Sequence, residues 1–241
     1  LTLACLSLSE DADDPVLMVM PSDHVIRDVP SFRRAVAEGA TQAAAGMLVL
    51  FGITPDRPET GYGYISVGEI LSHSTTARRL RSFEEKPDHG TAETYLQSGT
   101  HLWNSGMLMV RRSVWLRAIM LLRPDIYESC RTAVAQTLLA GDSVSVDETA
   151  FLTCPAESID RAITEHLPLM ATQNPPIGND GGRFDVQGVV IPLDCGWSDV
   201  GSWAALADAG TPDEAGNIVR GTVMAEDSYG NLVQAESRLE I

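Results

Sequence analysis

The sequence predicts an α/β layered fold, and three observations carry that reading. Apolar runs of strand length, Val16 to Met20 and Met47 to Ile53, alternate with stretches of helical periodicity. Glycine and proline punctuate the boundaries between them. From about Asp213 the pattern changes to short β runs with Gly-Asn turns and no helix, which reads as the start of a separate β element. The expected division is therefore a layered domain over residues 1–208, then a linker and β-rich start over 209–241.

The opening LTLACLSL reads as the end of a buried helix, because it is short, lacks a basic flank and passes into an acidic loop. VLMVM and MLVLFGI are continuous apolar runs, the pattern of strands buried on both faces. Between them, Ser31 is placed to cap a helix through roughly Ala45, closed by Gly46. GYGYISVG alternates as a strand, with Tyr62 and Tyr64 on one face, and the run into SFEEKP is a second strand stopped at Pro87. TAETYLQ is a short helix ended by Gly99, and LWNSGMLMV is a strand interrupted at Ser105-Gly106. Ser113 caps VWLRAIMLL, Pro124 breaks the chain, and another helix runs through Leu139. ESIDRAITEH is helical after Ser158, NPPIGNDGG is a surface loop, GVVIPL is a strand, and GWSDVGSW leads into the helix WAALAD. No internal repeat is evident.

Composition narrows the function classes. The formal net charge of −16 argues against nucleic acid polymers and anionic membrane surfaces as partners, both of which call for a basic footprint. No stretch approaches the roughly 18 uninterrupted apolar residues of a membrane span. Cys5, Cys130, Cys154 and Cys195 show no CxxC pairing and no His at metal spacing, which fits reduced thiols in a cytoplasmic protein. Of the 17 basic residues only Lys86 is lysine, so this position escapes a strong arginine bias. A compact, flexible ammonium suits it where a guanidinium fork does not fit; chance survival is the alternative.

Five clusters hold the candidate chemistry. Asp23 in PSDH follows the end of an apolar strand, where ligands of open α/β sheets bind, so it is placed for a metal or for an Asx-turn. PETGYGYI combines Glu59 with Gly61 and Gly63, whose bare backbone admits close approach of a ligand, and with tyrosines able to wall a sugar or base. FEEKP places Glu84, Glu85 and Lys86 at a strand end, as a grip on a sugar hydroxyl and its phosphate or as an exposed ion pair. Asn104 in WNSG offers an amide that both donates and accepts. GWSDVGSW is the most specific string: it holds Asp199 between Trp197 and Trp203, two indoles that read as packing more than as stacking platforms.

In this order, PSDHVIRD, LFGITPDRPETGYGYI, FEEKP, HLWNSGMLMVRRS, ESIDRAITE and GWSDVGSWAAL resemble the sugar-phosphate nucleotidylyltransferases, most closely the mannose-1-phosphate guanylyltransferases. The resemblance runs from Pro15 to Val223 and points to the long bacterial type, which often carries a fused mannose-6-phosphate isomerase domain. It implies a Rossmann-like mixed sheet and transfer of a nucleotidyl group from GTP to mannose 1-phosphate, giving GDP-mannose and pyrophosphate. It also implies that Asp23 and Asp199 hold Mg²⁺, that Lys86 neutralises the sugar phosphate, and that Glu85 and Asn104 bind mannose hydroxyls beside the Gly61 and Gly63 backbone. Glu59 counts with the substrate-binding set. These three charged residues, Lys86, Asp23 and Asp199, form the implied catalytic set. A homo-oligomer and a fused or separate isomerase domain are the partner expectations.

Three departures stand beside the resemblance. The family's glycine-rich GGxGTRLxPL loop is not in this sequence, both ends read as cut, and a chain of this extent is expected to be inactive alone and to lack the sheet's first strands. Arg161 stands where the family has tyrosine, and His166 to Phe184 reads as an insertion. A non-catalytic sugar-nucleotide-binding regulator and a transferase for another sugar 1-phosphate are the competing readings.

Overall fold

The computed structural model describes residues 1–8, 14–135, 138–140, 143–168, 176–177, 182–183, 186–201, 203–208 and 210–235. They form two compact units, one of residues 1–21 and 29–194, the other of residues 22–28 and 195–241.

The larger unit contains α1 (Thr2–Ser7), β1 (Val16–Val19), α2 (Val29–Ala44), β2 (Leu48–Ile53), β3 (Tyr64–Ile70), β4 (Arg78–Glu84), α3 (His89–Ser98), β5 (His101–Arg111), α4 (Arg112–Leu122) and α5 (Pro124–Ala135). There follow the short strands β6 (Leu138–Ala140) and β7 (Ser143–Ser145), helices α6 (Glu148–Phe151) and α7 (Ile159–Ala162), the strand pair β8 (Pro176–Ile177) and β9 (Gly182–Arg183), and β10 (Gly188–Leu193). Six strands make a mixed sheet in the order β1-β5-β2-β10-β4-β3, and β5 also pairs with β3. Only β2 and β10 run parallel within it; the other pairings are antiparallel. The α/β mixed-sheet expectation is thus met.

The apolar runs explain the middle of the sheet. Every residue of β2 is buried, as a strand flanked by β5 and β10 must be. The similar run VLMVM behaves differently: among the described residues β1 pairs with β5 alone and is half-buried throughout. An apolar run alone does not distinguish edge from centre, because neighbours arrive from elsewhere in the chain. The largest fully buried side chains include Trp115 of α4, Phe51 and Leu50 of β2, and Tyr64 and Ile65 of β3. Cys5, Cys130 and Cys195 are buried, while Cys154 is half-buried.

The strand β5 changes neighbours part-way along. Trp103 faces Tyr64 of β3 on one side and Ile53 of β2 on the other, and beyond it the register with β2 shifts between Leu50 and Gly52. Gly106 takes φ +72° just after this fork, a left-handed conformation that strains any residue with a Cβ. The expected interruption at Ser105-Gly106 is therefore a distortion within one continuous eleven-residue strand. Ser105 Oγ satisfies Phe51 O at 2.7 Å across it.

Helix boundaries needed several corrections. The helix expected from Ser31 starts at Val29, leaving Ser31 inside it, where its hydroxyl accepts from Arg34 at 2.9 Å. Gly46 does terminate this segment, with φ +91°. Ser113 does not cap α4. It donates its own N–H and hydroxyl to the Asp14 carboxylate, at 2.8 and 2.7 Å, so a residue 99 positions away supplies the cap. The helix expected through Leu139 ends at Ala135, and Leu138–Ala140 is instead a strand paired with Ser143–Ser145. Most of the expected insertion from His166 to Phe184 lies outside the described residues; within it, Pro176–Ile177 pairs with Gly182–Arg183.

Burial tends to raise the Asp14 carboxyl, but hydrogen bonds from Ser113 and the Arg111 guanidinium outweigh it and hold the group below its ordinary value. A depressed carboxyl contributes stability above its unfolded value and loses it as pH falls through the folded one. Asp14→Ala is thus expected to cost about 1 kcal/mol at neutral pH, the scale of a lost helix cap. Denaturant melts of both proteins check this; a deficit that persists unchanged in acid would show that packing, not the charged cap, carries it.

The smaller unit pairs β11 (Ile218–Arg220) with β12 (Leu232–Gln234) in parallel. This strand pair contains a repeat. Gly216-Asn217-Ile218-Val219 and Gly230-Asn231-Leu232-Val233 stack in register, with Ile218 opposite Leu232 and Val219 opposite Val233. Asn217 Oδ1 accepts from both Asn231 N and Asn231 Nδ2, at 3.0 and 3.1 Å, and both glycines have positive φ. Two copies of four residues are too short to stand out in a sequence scan; the pairing makes them visible. The helix α8 (Trp203–Asp208) also lies in this unit.

Candidate active site

In the larger unit, the fork in β5 brings most of the substrate-binding candidates together. Tyr64 and Trp103 are cross-strand partners and share one face; Gly63, one residue before Tyr64, and Asn104, one after Trp103, turn to the other. Asn104 N donates to Gly63 O at 2.8 Å, holding the two backbones together. A Cβ on Gly63 would lie 2.7 Å from Phe83 Cζ and 2.8 Å from Glu85 Oε2. Glycine at 63 is what lets the Glu85 carboxylate lie against the β3 backbone.

Lys86 follows at the end of β4 with φ +50°, left-handed for a residue with a full side chain and followed by proline. Such a conformation costs on the order of 1–3 kcal/mol and persists where the surroundings impose it. It turns the lysine away from strand alternation. The side chain is 62% exposed, with Nζ 3.8 Å from Glu85 Oε1, so the ammonium remains open to an anion. Glu84 points elsewhere, accepting a hydrogen bond from the Tyr95 hydroxyl, which this contact and burial raise to about 12. Of the paired glutamates, only Glu85 joins Gly63 and Lys86.

Glu59 and Gly61 form a closed turn in the loop after β2. Glu59 Oε1 accepts from Gly61 N at 3.1 Å, and Oε2 from Arg57 Nε at 3.4 Å. The Arg57 guanidinium lies 5.0 Å above the Trp103 ring, and Tyr62 meets that ring edge-on at 5.2 Å. Glu59 thus shapes the loop through Arg57, a residue the sequence reading did not single out. Tyr64 is 1% exposed and packs 5.4 Å from Tyr95, so it belongs to the core and does not wall a ligand.

A second residue absent from the sequence candidates is Asp160. It sits in α7, whose start is capped by Ser158 Oγ accepting from Arg161 N at 3.3 Å. Its Oδ1 accepts from Asn104 Nδ2 at 3.0 Å. Burial raises the Asp160 carboxyl, hydrogen bonds from Asn104 and Thr164 oppose the rise, and the Glu165 charge adds to it. Burial likewise raises Glu85, with the Asp160 charge adding and Lys86 opposing. No local pattern in ESIDRAITEH marks this aspartate; its contact with Asn104, 56 positions away, does. Arg161, the departure from the family tyrosine, is exposed, and its charge draws Glu85 down slightly.

Carboxyls raised in the folded state cost stability once ionised. The cost is absent below the unfolded value and grows as pH rises through the folded value. Asp160→Asn is therefore expected to melt above the parent protein at neutral pH, with the gap closing as pH falls through the carboxylate range. Thermal melts at stepped pH measure this, and an asparagine variant melting lower at neutral pH would contradict the burial argument.

In the smaller unit, residues 22–28 and 195–201 are zipped together. Val25 and Ser198 exchange both backbone hydrogen bonds, at 2.8 and 3.0 Å, as an antiparallel bridge. Cys195 O accepts from Arg27 N and Asp28 N, and Trp197 Nε1 donates to His24 Nδ1 at 3.1 Å. Asp23 precedes Val25 by two residues and Asp199 follows Ser198 by one, so both occupy the same end of the bridge. Asp199 Oδ1 accepts from Gly201 N at 3.2 Å, around Val200 at φ +52°, a strained setting for a β-branched residue. Trp197 packs against His24 as expected. Trp203 does not pack: at the first position of α8 it is 79% exposed. Among the described residues no three His, Cys, Asp or Glu side chains are grouped to hold a metal by themselves.

Comparison with known proteins gives this arrangement a relationship. Residues 2–216 match the nucleotidyl transferase family. The chain belongs to that family. Mannose-1-phosphate guanylyltransferase RfbM of Salmonella typhimurium is 39% identical over 232 residues, 96% of this chain and 44% of its own length. The mannose-1-phosphate guanylyltransferase of Escherichia coli K12 is 40% identical over 228 residues, 94% of this chain and 44% of the relative. This nucleotidyl transferase chain spans less than half the length of these curated relatives. Among solved structures, one described as mannose-1-phosphate geranyltransferase from Thermus thermophilus matches with TM-score 0.75 and 27% identity, covering 98% of this chain and 62% of that one. One described as mannose-6-phosphate isomerase from Helicobacter pylori matches with TM-score 0.64 and 25% identity, over 82% of this chain and 68% of that one. Among the described residues no helix is long and apolar enough to cross a membrane.

Proposed function

We propose that the protein transfers a guanylyl group from GTP to mannose 1-phosphate, giving GDP-mannose and pyrophosphate. The observation that carries this reading is the grouping of Gly63, Glu85, Lys86 and Asn104: a bare backbone, a carboxylate, an open ammonium and an amide. These suit the hydroxyls and the phosphate of a hexose 1-phosphate. The choice of mannose and of GTP follows the names of the relatives.

The chemistry needs little from the protein in proton transfer. The sugar phosphate is already ionised, so its oxygen attacks the α-phosphorus directly, one P–O bond forms, and the α–β bond breaks to release pyrophosphate. The barrier lies in bringing anions together and aligning them. Lys86 would offset the sugar phosphate charge, while Glu85 accepts from a sugar hydroxyl and Asn104 supplies a directional contact. Glu59, tied to Arg57 and Gly61, holds the loop that leads into Gly63.

Asp23 and Asp199 are carboxylates at one end of the same bridge, a hard-oxygen donor pair that fits a divalent cation such as Mg²⁺. Two carboxylates suffice where substrate phosphates and water complete the shell. A cation held there supplies positive charge of the kind a phosphate ligand calls for. Cytoplasmic action is consistent with the free thiols, and association with mannose-6-phosphate isomerase activity follows the likeness to the protein of that name. Relatives named for alginate and xanthan biosynthesis support a role for the product in polysaccharide synthesis.

The test supplies full-length protein with Mg²⁺, GTP and mannose 1-phosphate and follows pyrophosphate release, with glucose 1-phosphate and UTP as alternatives. Faster release with another pair would replace the substrate assignment. Tight binding of the sugar nucleotide without release would favour a regulatory protein.

A further inference from the structure

We propose that Asp160 is a positioning residue for the sugar subsite, acting by setting which way the Asn104 amide points. The inference rests on the sugar-phosphate reading above and adds to it a residue outside the binding set. Asn104 lies on the face shared with Gly63 and Glu85, and an amide there can present either N–H or C=O to a hydroxyl. The two orientations have nearly the same shape, so packing alone discriminates weakly between them.

Asp160 removes the ambiguity. An ionised carboxylate only accepts, and Asp160 Oδ1 takes Asn104 Nδ2 at 3.0 Å from across 56 positions of sequence. At the other end of the amide, Asn104 Oδ1 receives Gly106 N at 3.4 Å, a weak contact within its own strand. Reversing the amide would put its oxygen against the Asp160 carboxylate and its nitrogen against the Gly106 N–H, two repulsive contacts in place of two attractive ones. The remaining Nδ2–H is then the only donor of the amide left for a ligand. A sugar oxygen that accepts there is favoured over one that donates.

The energetics support a functional reason for this charge. Asp160 stands close enough to Glu85 to raise it, and burial disfavours both ions. An uncharged residue would serve α7 at least as well, since Ser158 already caps it. Retaining a half-buried carboxyl that raises its neighbour Glu85 is a cost that folding does not require, and such costs concentrate where binding uses the groups.

The test uses full-length protein and measures mannose 1-phosphate binding by calorimetry together with steady-state kinetics. Asp160→Ala frees the amide, and is expected to raise both Kd and KM for mannose 1-phosphate about tenfold, or about 1.4 kcal/mol, with kcat and the KM for GTP nearly unchanged. Asp160→Asn keeps the shape but can donate as well as accept, so it leaves the amide orientation unfixed and should show a similar loss. If Asp160 acts through Asn104, the loss in the Asp160→Ala, Asn104→Ala double variant should be no greater than in Asn104→Ala alone. Unchanged sugar-phosphate binding in Asp160→Ala, fully additive losses, or equal losses for both substrates would each overturn the inference. Failure of the unaltered protein to bind mannose 1-phosphate would instead overturn the substrate reading on which it rests.

Discussion

Replacing Lys86 by arginine in the full-length protein lowers turnover by about 10²–10³-fold, the range lost with a single electrostatic contact to a developing charge. The melting temperature stays close to that of the parent. Both expectations come from the same geometry. The side chain is largely exposed, and its nearest recorded ion-pair partner, Glu85, is 3.8 Å away, so folding gains little from it. Arginine has the same backbone preferences as lysine, which leaves the left-handed strain at φ +50° as it was. What changes is the head group: a planar fork replaces a compact ammonium, and the fork also matches the Glu85 carboxylate too well. Lys86→Gly separates strain from charge. It relieves the left-handed backbone, and should be at least as stable as the arginine variant while still catalytically poor. Turnover assays with calorimetric melts read both quantities. Normal turnover in Lys86→Arg would return the lone lysine to chance survival.

Asp199→Asn should be the more damaging change to metal dependence, lowering turnover by about 10³-fold or more at ordinary Mg²⁺. Asparagine can still accept from Gly201 N, so the turn around Val200 keeps its hydrogen bond. The backbone bridge between Val25 and Ser198 involves neither carboxylate. Asparagine keeps the shape of the side chain and its Gly201 contact, so stability should move far less than turnover, by about 0.5 kcal/mol. Asp23→Asn is expected to act similarly, because it stands at the same end of the bridge. Titrating Mn²⁺ or Mg²⁺ against activity gives the apparent metal affinity of each variant. An affinity equal to the parent's in both variants would remove the metal from this bridge.

The reading of Asp23 and Asp199 shows how sequence and structure divide the work. Both were identifiable from PSDH and GWSDVG, each beside an apolar run and glycine. Their placement at one end of a single bridge was not, since 176 positions separate them and nothing local records the pairing. Glu85, Gly63 and Asn104 were likewise legible one at a time as polar or glycine residues inside strand patterns. Asp160 stands out only through its contact with Asn104 across 56 positions, which no local pattern records.

What the sequence determined by itself follows from short-range physics. Apolar runs of six residues specify buried strands such as β2, and glycines mark helix ends such as Gly46 and Gly99. These signals act within one turn or one strand, so they survive in the string of residues. The tertiary structure decided what depends on distant partners. It let Asp14 take the capping role from Ser113, and left Trp203 exposed. It turned Lys86 left-handed at the end of β4, and it paired Asn104 with Asp160. Each of these outcomes is fixed by which segments meet, and the free energy of such meetings is shared among residues far apart in the chain.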